Sequence, residues 1–328
     1  MTAGTNPDQL DDRAAMGLPP SFTDRIDRDR LNVLARRLAG EDPRALARLV
    51  EDPGAEMLLR LAAGTQLALV GDPRTTPLDP AMVDVPAARV RLGLPEDRID
   101  AVVTAWRHVG VTRDWIVKEA PQCETSIAAF RLARYPVTNR EYRLFLLENP
   151  DVGPPTSWRF GAYPRHLANH PVWSVRPEDA DAYAAWLSRR TGRAFRLPIE
   201  AEWEYAASRG DGRAYPWGDD LPEDHANTVE SGQLSTTPVG MYPAGRSPFG
   251  AYDMAGNVEE FVADDYRPYP GGRHVDDDLH DGSGSSYRVA RGGSFTRCAD
   301  LARCCRRHGW YRRDLYAMGF RLAETVEG

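Results

Sequence analysis

Asp253-Met-Ala-Gly-Asn-Val-Glu-Glu260, then Arg291-Gly-Gly-Ser-Phe295, then Gly319-Phe-Arg321 are the three stretches that decide how this chain folds. None carries the period of an amphipathic helix or the strict alternation of a half-buried strand. Each concentrates Gly, Asn, Asp and aromatic residues, the composition of tight turns that carry sites. Arg196-Leu-Pro-Ile-Glu-Ala-Glu-Trp-Glu204 adds a fourth such block. From Arg196 onward the chain reads as mostly irregular backbone. A long irregular region inside a compact domain is either functional or held by something other than a backbone ladder, such as a metal.

Two helices precede these blocks. Thr138 caps one over 139–148, with Tyr142, Phe145 and Leu146 inward. Pro177-Glu-Asp opens the other, which runs through Tyr183, Trp186 and Leu187 and stops at Gly192. Short strands are expected at 81–85, 88–92 and 130–135. Farther upstream, apolar residues at helical spacing (Leu31, Leu34, Leu38; Leu46, Leu49; Leu58, Leu61) predict a helical extension over 26–70. It is too small to bury a core alone, so it packs on the rest of the chain or on a protein partner. Residues 1–25 read as a flexible lead, 71–80 with their prolines as a linker, and 81–328 as the main domain.

The chain has 328 residues, 42% of them hydrophobic and 27% charged, as in an ordinary globular protein. A net charge of −7 argues against a general grip on nucleic acid. No apolar run is long enough to span a membrane, and Met1–Arg13 lacks the pattern of a secretory signal, so a cytoplasmic location is expected. Four cysteines in a chain this size do not make a disulfide framework. Cys123 stands alone, while Cys298, Cys304 and Cys305 gather in one segment. Lys118 is the only lysine. That skew reads as a coding bias, which discounts the arginine cluster at 303–307.

The four blocks, together with Tyr135-Pro-Val-Thr-Asn-Arg-Glu-Tyr142, His170-Pro-Val172 and Tyr215-Pro-Trp-Gly218, resemble the formylglycine-generating-enzyme, or sulfatase-modifying-factor, domain family over roughly 80–322. The resemblance implies an α+β domain, a variant of the C-type lectin fold with two main helices, a small twisted sheet and much irregular structure. Family members include copper-dependent oxidases that make formylglycine and halves of iron-dependent sulfoxide synthases in thiol-histidine biosynthesis. Others are non-catalytic binders such as diversity-generating-retroelement variable proteins. Two functions are therefore expected as alternatives. One is a metal-dependent, oxygen-using oxidase with an altered cysteine site that does not act on sulfatases. The other is a calcium-stabilised, non-catalytic module that binds ligand through the 297–316 surface.

Asp253, Gly256, Val258 and Glu260 place two carboxylates and two backbone carbonyls at a spacing that can wrap one hard cation, and the family binds structural calcium here. A hydrogen-bonded Asx turn is the alternative. Asn227 matches a residue of the family's second calcium site, although the acidic loop expected after it is absent. Cys298 and Cys304 form the candidate soft site for copper, with Ser294 beside them as a further catalytic candidate. Buried, inert thiols are the alternative reading. Arg307, His308, Trp310, Tyr311, Arg313 and Tyr316 are expected to line a groove for a small-molecule or peptide ligand, the aromatic and arginine side chains supplying contact area and anion recognition. The first 100 residues hold no histidine, which argues against the sulfoxide synthases' N-terminal iron site. His166 and His170 lie among prolines and read as scaffold. Glu200, Glu202 and Glu204 read as the acidic start of a helix. Asp276-Asp-Asp278, with His274, His280 and Asp281, reads as a solvated, mobile insertion, with cation binding as the alternative.

Overall fold

The computed structural model describes residues 10–326 except 17, 19, 278, 281–285, 312, 313 and 315. Short acidic side chains start the N-terminal helices. Asp11, Asp27 and Asp42 cap α1 (Asp12–Ala15), α2 (Arg28–Arg37) and α3 (Pro43–Val50), each accepting a backbone N–H three residues on. Such a cap stabilises by about 1 kcal/mol. The next helix, α4 (Met57–Val70), is apolar nearly all round because neighbours cover it on several sides. Leu58, Leu61 and Leu67 join Leu31, Leu46 and Val50 in a cluster that also takes in Met241 and Tyr242 of the main domain. At Gly64 the helix rests directly on Pro238, where a Cβ would come within 2.4 Å. The extension thus spends its apolar face on its own chain.

Two expectations about this end change. Within the supposed flexible lead, Ala15 is fully buried in the main core, with Leu10 and Met16 packed beside it. Arg25 donates its backbone N–H to the Gly232 carbonyl at 3.0 Å. The supposed linker is also fastened: Asp72 is buried and clasps Arg74 at 2.6 Å, while the Asn169 amide donates to Asp72 at 2.9 Å. Prolines report irregular backbone, but they do not report whether core or water lies beneath it.

The main domain begins with β1 (Met82–Val85) and β2 (Ala88–Leu92), followed by a small helical insert, α5 (Ile99–Trp106) and α6 (Arg113–Val117). Then come β3 (Cys123–Ile127), β4 (Phe130–Ala133), α7 (Asn139–Glu148), α8 (Pro177–Thr191), β5 (Phe195–Arg196) and α9 (Glu200–Ser208). The strands β6 (Glu259–Asp265), β7 (Arg288–Arg291), β8 (His308–Gly309), β9 (Met318–Phe320) and β10 (Ala323–Thr325) complete it. They form one sheet in the order β1-β4-β10-β5, a β2-β3 pair, and a second four-stranded sheet ordered β8-β7-β6-β9. All described pairings are antiparallel except β6 with β9.

Both expected helices form where their signals lie. Thr138 and Glu141 make a reciprocal capping box at the start of α7. Gly192 ends α8 at φ 73°, a left-handed conformation that glycine adopts without strain. Tyr142 and Phe145 of α7 interlock with Tyr183 and Trp186 of α8 and Phe320 of β9, with ring centroids 5.3 to 6.3 Å apart. This aromatic wedge ties the helix pair to the second sheet and so holds the turn-rich region in place. The result is the mixed α+β arrangement that the motifs imply.

Candidate functional site

The Asp253–Glu260 turn is built on left-handed backbone at Asp253, Gly256 and Asn257. Gly256 is required there, because a Cβ would meet the Asn227 carbonyl oxygen at 2.6 Å. Asn257 bridges to Thr237, accepting its N–H at 3.0 Å and donating to its carbonyl at 3.2 Å. The buried Asp253 carboxylate accepts the Gly240 N–H at 2.7 Å, and burial raises its pKa to about 6. Glu260 departs from the expected ligand set. Both its oxygens face Arg321 at 2.6 Å, one of them also accepts the Trp203 indole N–H at 2.7 Å, and the pair is fully buried. Its charge is therefore already neutralised. Asn227 also departs from expectation: its amide donates to Ser235 and Asn257 and its oxygen accepts from Ser231, so the side chain is spent on tying loops together.

The cysteines do not assemble. Cys298 lies near Glu230, Asp300 and Arg297, whereas Cys304 lies near Cys305, Glu204, Arg291 and Arg213. Burial, reinforced by carboxylate neighbours, pushes the Cys298 thiol up to about 12 and Cys304 well above its ordinary value. Ser294 is fully buried, with its hydroxyl 3.1 Å from that of Thr296. Nothing in its surroundings activates it as a catalytic group.

Among the described residues, the expected groove over 297–316 is largely filled by buried side chains. Arg307, His308, Tyr311 and Tyr316 are all buried, and only Trp310 is partly exposed. Arg313 lies outside the described residues. The crevice where Trp310, Tyr311 and Tyr316 meet Ser174 and Val175 has a free volume of about 0 Å³. Arg297 covers the Tyr316 ring at 5.0 Å and donates to the Met16 carbonyl at 3.5 Å, so the N-terminal segment lies over this region. The His308 Nδ1 sits 2.6 Å from the buried Glu259 carboxylate. Burial lowers the His308 pKa, with Glu259 pulling it the other way. The arginine cluster is not a coding by-product. Arg303 binds Glu119 through two bonds of 2.7 and 2.8 Å, Arg306 reaches Asp300 at 3.3 Å, and Arg307 binds Glu200 at 2.7 and 2.8 Å.

The open site lies on the other side of Arg307. A cleft of about 500 Å³ runs between the β2-β3 pair, the start of α9 and the loop after β6. Its floor is the Arg307–Glu200 pair. Tyr269 covers the guanidinium at 4.4 Å and Tyr266 at 5.0 Å, and Arg307 also donates to the Lys118 carbonyl at 3.0 Å. Asp264 accepts the Glu200 N–H at 2.6 Å, and burial raises its pKa. Behind the floor, Tyr269 donates its hydroxyl to Glu204 at 3.3 Å. Glu124, Asp264, Asp265 and Arg267 charge the walls. The sequence reading placed Arg307 on a binding surface and Glu200 in the scaffold; the fold joins them. Asp264, Tyr266 and Tyr269 were missed. Their only local signal is the run Asp264-Asp-Tyr266-Arg-Pro-Tyr269, and its partner Arg307 lies far along the chain.

This chain belongs to the sulfatase-modifying factor enzyme 1-like domain family, whose model matches residues 70–326. It is 35% identical over 247 residues to hercynine oxygenase of Mycolicibacterium thermoresistibile, covering 64% of this chain and 54% of that protein. It is 42% identical over 142 residues to the formylglycine-generating enzyme of Streptomyces coelicolor, covering 39% of this chain and 42% of the enzyme. The chain spans about half the length of the curated relatives it matches. Among solved structures, PvdO from Pseudomonas aeruginosa superposes with a TM-score of 0.59 at 28% identity, covering 77% of this chain and 97% of PvdO. The fold is the C-type-lectin-like fold of the formylglycine-generating-enzyme type. Among the described residues, no helix is long and apolar enough to cross a membrane.

Proposed function

We propose that the chain is an oxygen-using oxidoreductase that oxidises a small substrate held in the cleft above Arg307 and Tyr269. The cleft itself carries the reading: a concave site of about 500 Å³ with a buried, fully paired guanidinium–carboxylate floor backed by tyrosine rings. Charges held in place before a ligand arrives reduce the ordering cost of binding. The wall charges, with Glu124, Asp264 and Asp265 against Arg267, suit a substrate bearing a cationic group. Relatedness to hercynine oxygenase supports oxygen as the oxidant and a hercynine-like molecule as the first substrate to try.

Of the two redox metals the resemblance implies, Cu(I) suits paired thiolates and iron suits imidazole and carboxylate donors. Cysteines with different charged neighbours, not a converging pair, favour an iron-dependent form. The metal, when bound, would activate oxygen; the cleft would bind and orient the substrate. Calcium is proposed separately at the Asp253 turn, with Asp253 supplying charge and Gly256 and Val258 supplying carbonyls. The buried Asp253 carboxylate, held near pKa 6 with only N–H donors for partners, supports it. Calcium against chelator in a thermal melt tests this, and an unchanged midpoint counts against it.

The oxidase reading is tested by oxygen uptake after anaerobic loading with Fe2+ or Cu+, supplied with hercynine or simple thiols. Substrate-dependent uptake is expected with iron, and Ala201→Trp, which fills the cleft, should suppress it. No uptake with either metal refutes the oxidase; uptake unaffected by Ala201→Trp refutes the cleft.

A further inference from the structure

Behind the cleft, His274 and His280 lie against a stacked pair of tyrosines. Tyr266 and Tyr287 are parallel, with centroids 5.1 Å apart, and the rings of His274 and His280 pack on this pair at 5.6 and 5.0 Å. The two imidazoles are 5.4 Å apart at their centroids. One possible ligand atom from each of His274, Asp276 and His280 lies within 4.8 Å of the others, the one such grouping among the described residues. The sequence reading treated this stretch as a solvated, mobile insertion with cation binding as the alternative; the His280 side chain is only 6% exposed.

His280 carries the second, independent observation. Its Nδ1 accepts the Asp277 backbone N–H at 3.3 Å and lies 3.3 Å from an Asp277 oxygen and 3.4 Å from an Asp276 oxygen, while its Nε2 is buried without a hydrogen-bond partner. An unpartnered buried ring nitrogen is costly. The Asp277 contacts to Nδ1 fix the ring orientation, as outer-shell partners of a metal-binding histidine do. Asp277 is itself fixed. It pairs with the buried Lys118, which lies over the Tyr287 ring at 5.6 Å and reaches the Tyr287 hydroxyl at 3.2 Å. The chain's single lysine thus anchors the carboxylate behind the histidine.

We propose that His274, Asp276 and His280 bind one divalent first-row transition ion, with Asp277 positioning His280. Two imidazoles and one carboxylate suit Fe2+, Co2+ or Zn2+ over Ca2+ or Mg2+, which take oxygen donors. The Asp276 side chain is 83% exposed and can turn toward the ion, so the remaining positions open to solvent. The Tyr266 ring touches both this site and the Arg307 guanidinium of the cleft floor, the latter at 5.0 Å.

Cobalt is the probe. Full-length protein stripped with EDTA and titrated with Co2+ should develop visible d–d absorption saturating at one ion per chain. Zn2+ should displace it and Ca2+ should not. His274→Ala changes an exposed side chain, so it should fold normally and lose the absorption. Asp277→Asn should keep the one-to-one stoichiometry with affinity weakened about 10- to 100-fold. Absent cobalt absorption, displacement by Ca2+, or unchanged binding in both His274→Ala and His280→Ala overturns the assignment. The readout involves no substrate, so failure here is distinguishable from failure of the oxidase reading.

Discussion

Replacing Arg321 with methionine should reveal what neutralises the fully buried Glu260 carboxylate. The guanidinium makes four bonds: two to Glu260 at 2.6 Å, one to the Ala133 carbonyl at 3.0 Å and one to the Tyr252 carbonyl at 2.8 Å. Methionine fills similar volume and donates nothing. Glu260 would stay charged at zero exposure, and breaking one side of a buried pair costs about 3–5 kcal/mol. Two carbonyls lose donors as well, so a total of about 5 kcal/mol is expected. Glu260→Gln in the same chain removes the orphaned charge while keeping the acceptor for Trp203. The double variant should therefore recover about half of the loss, on the order of 2–3 kcal/mol. Urea unfolding at pH 7.5 measures both. With a slope of about 3 kcal/mol per molar, the single variant's midpoint falls by roughly 1.7 M. The measurement is run with calcium and with chelator. A cost below about 1.5 kcal/mol, or a double variant worse than the single, refutes the pairing. Tolerance of Arg321→Met in calcium alone would return Glu260 to the cation.

Two other outcomes follow from titratable groups. Burial raises Glu141 in the α7 cap from 4.5 to about 7, so the folded state holds a proton that the unfolded state releases between these values. The stability this contributes is present at low pH and is lost as pH rises through about 7. Wild type should therefore weaken by up to roughly 3 kcal/mol between pH 4.5 and 8, and Glu141→Gln should flatten that slope in urea titrations; equal slopes would contradict the burial argument. The Cys298 thiol, raised from 9.0 to about 12, should alkylate with iodoacetamide about 1000-fold more slowly than a free cysteine at pH 7.4, read by peptide mass spectrometry. A rate near the free value would reopen the copper reading.

Local rules were enough for the helices. Thr138 with Glu141, Pro177 and Gly192 mark ends through bonds made within a few residues, and α7 and α8 lie where those signals place them. The motif blocks likewise fix the family, because each needs particular residues at left-handed or close-packed backbone, as at Gly256 against Asn227. The site was less legible. Arg307 could be marked as a binder, but its orientation depends on Glu200, Tyr266 and Tyr269, which arrive from other segments. Cys298 and Cys304, six positions apart in sequence, face different neighbours because the intervening turns separate them.

By itself, the sequence determined the limits of α7 and α8, the turn-bearing motifs and the family, since residue type and spacing along the chain carry all three. Only the tertiary structure decided which charges meet. It gave Glu260 to Arg321, buried Arg307, His308, Tyr311 and Tyr316, opened the cleft on the far face of Arg307, and left one nitrogen of His280 buried without a partner. The reason is physical: a charged side chain is committed by whatever lies within a few ångströms, and in a fold so rich in loops those neighbours come from distant sequence.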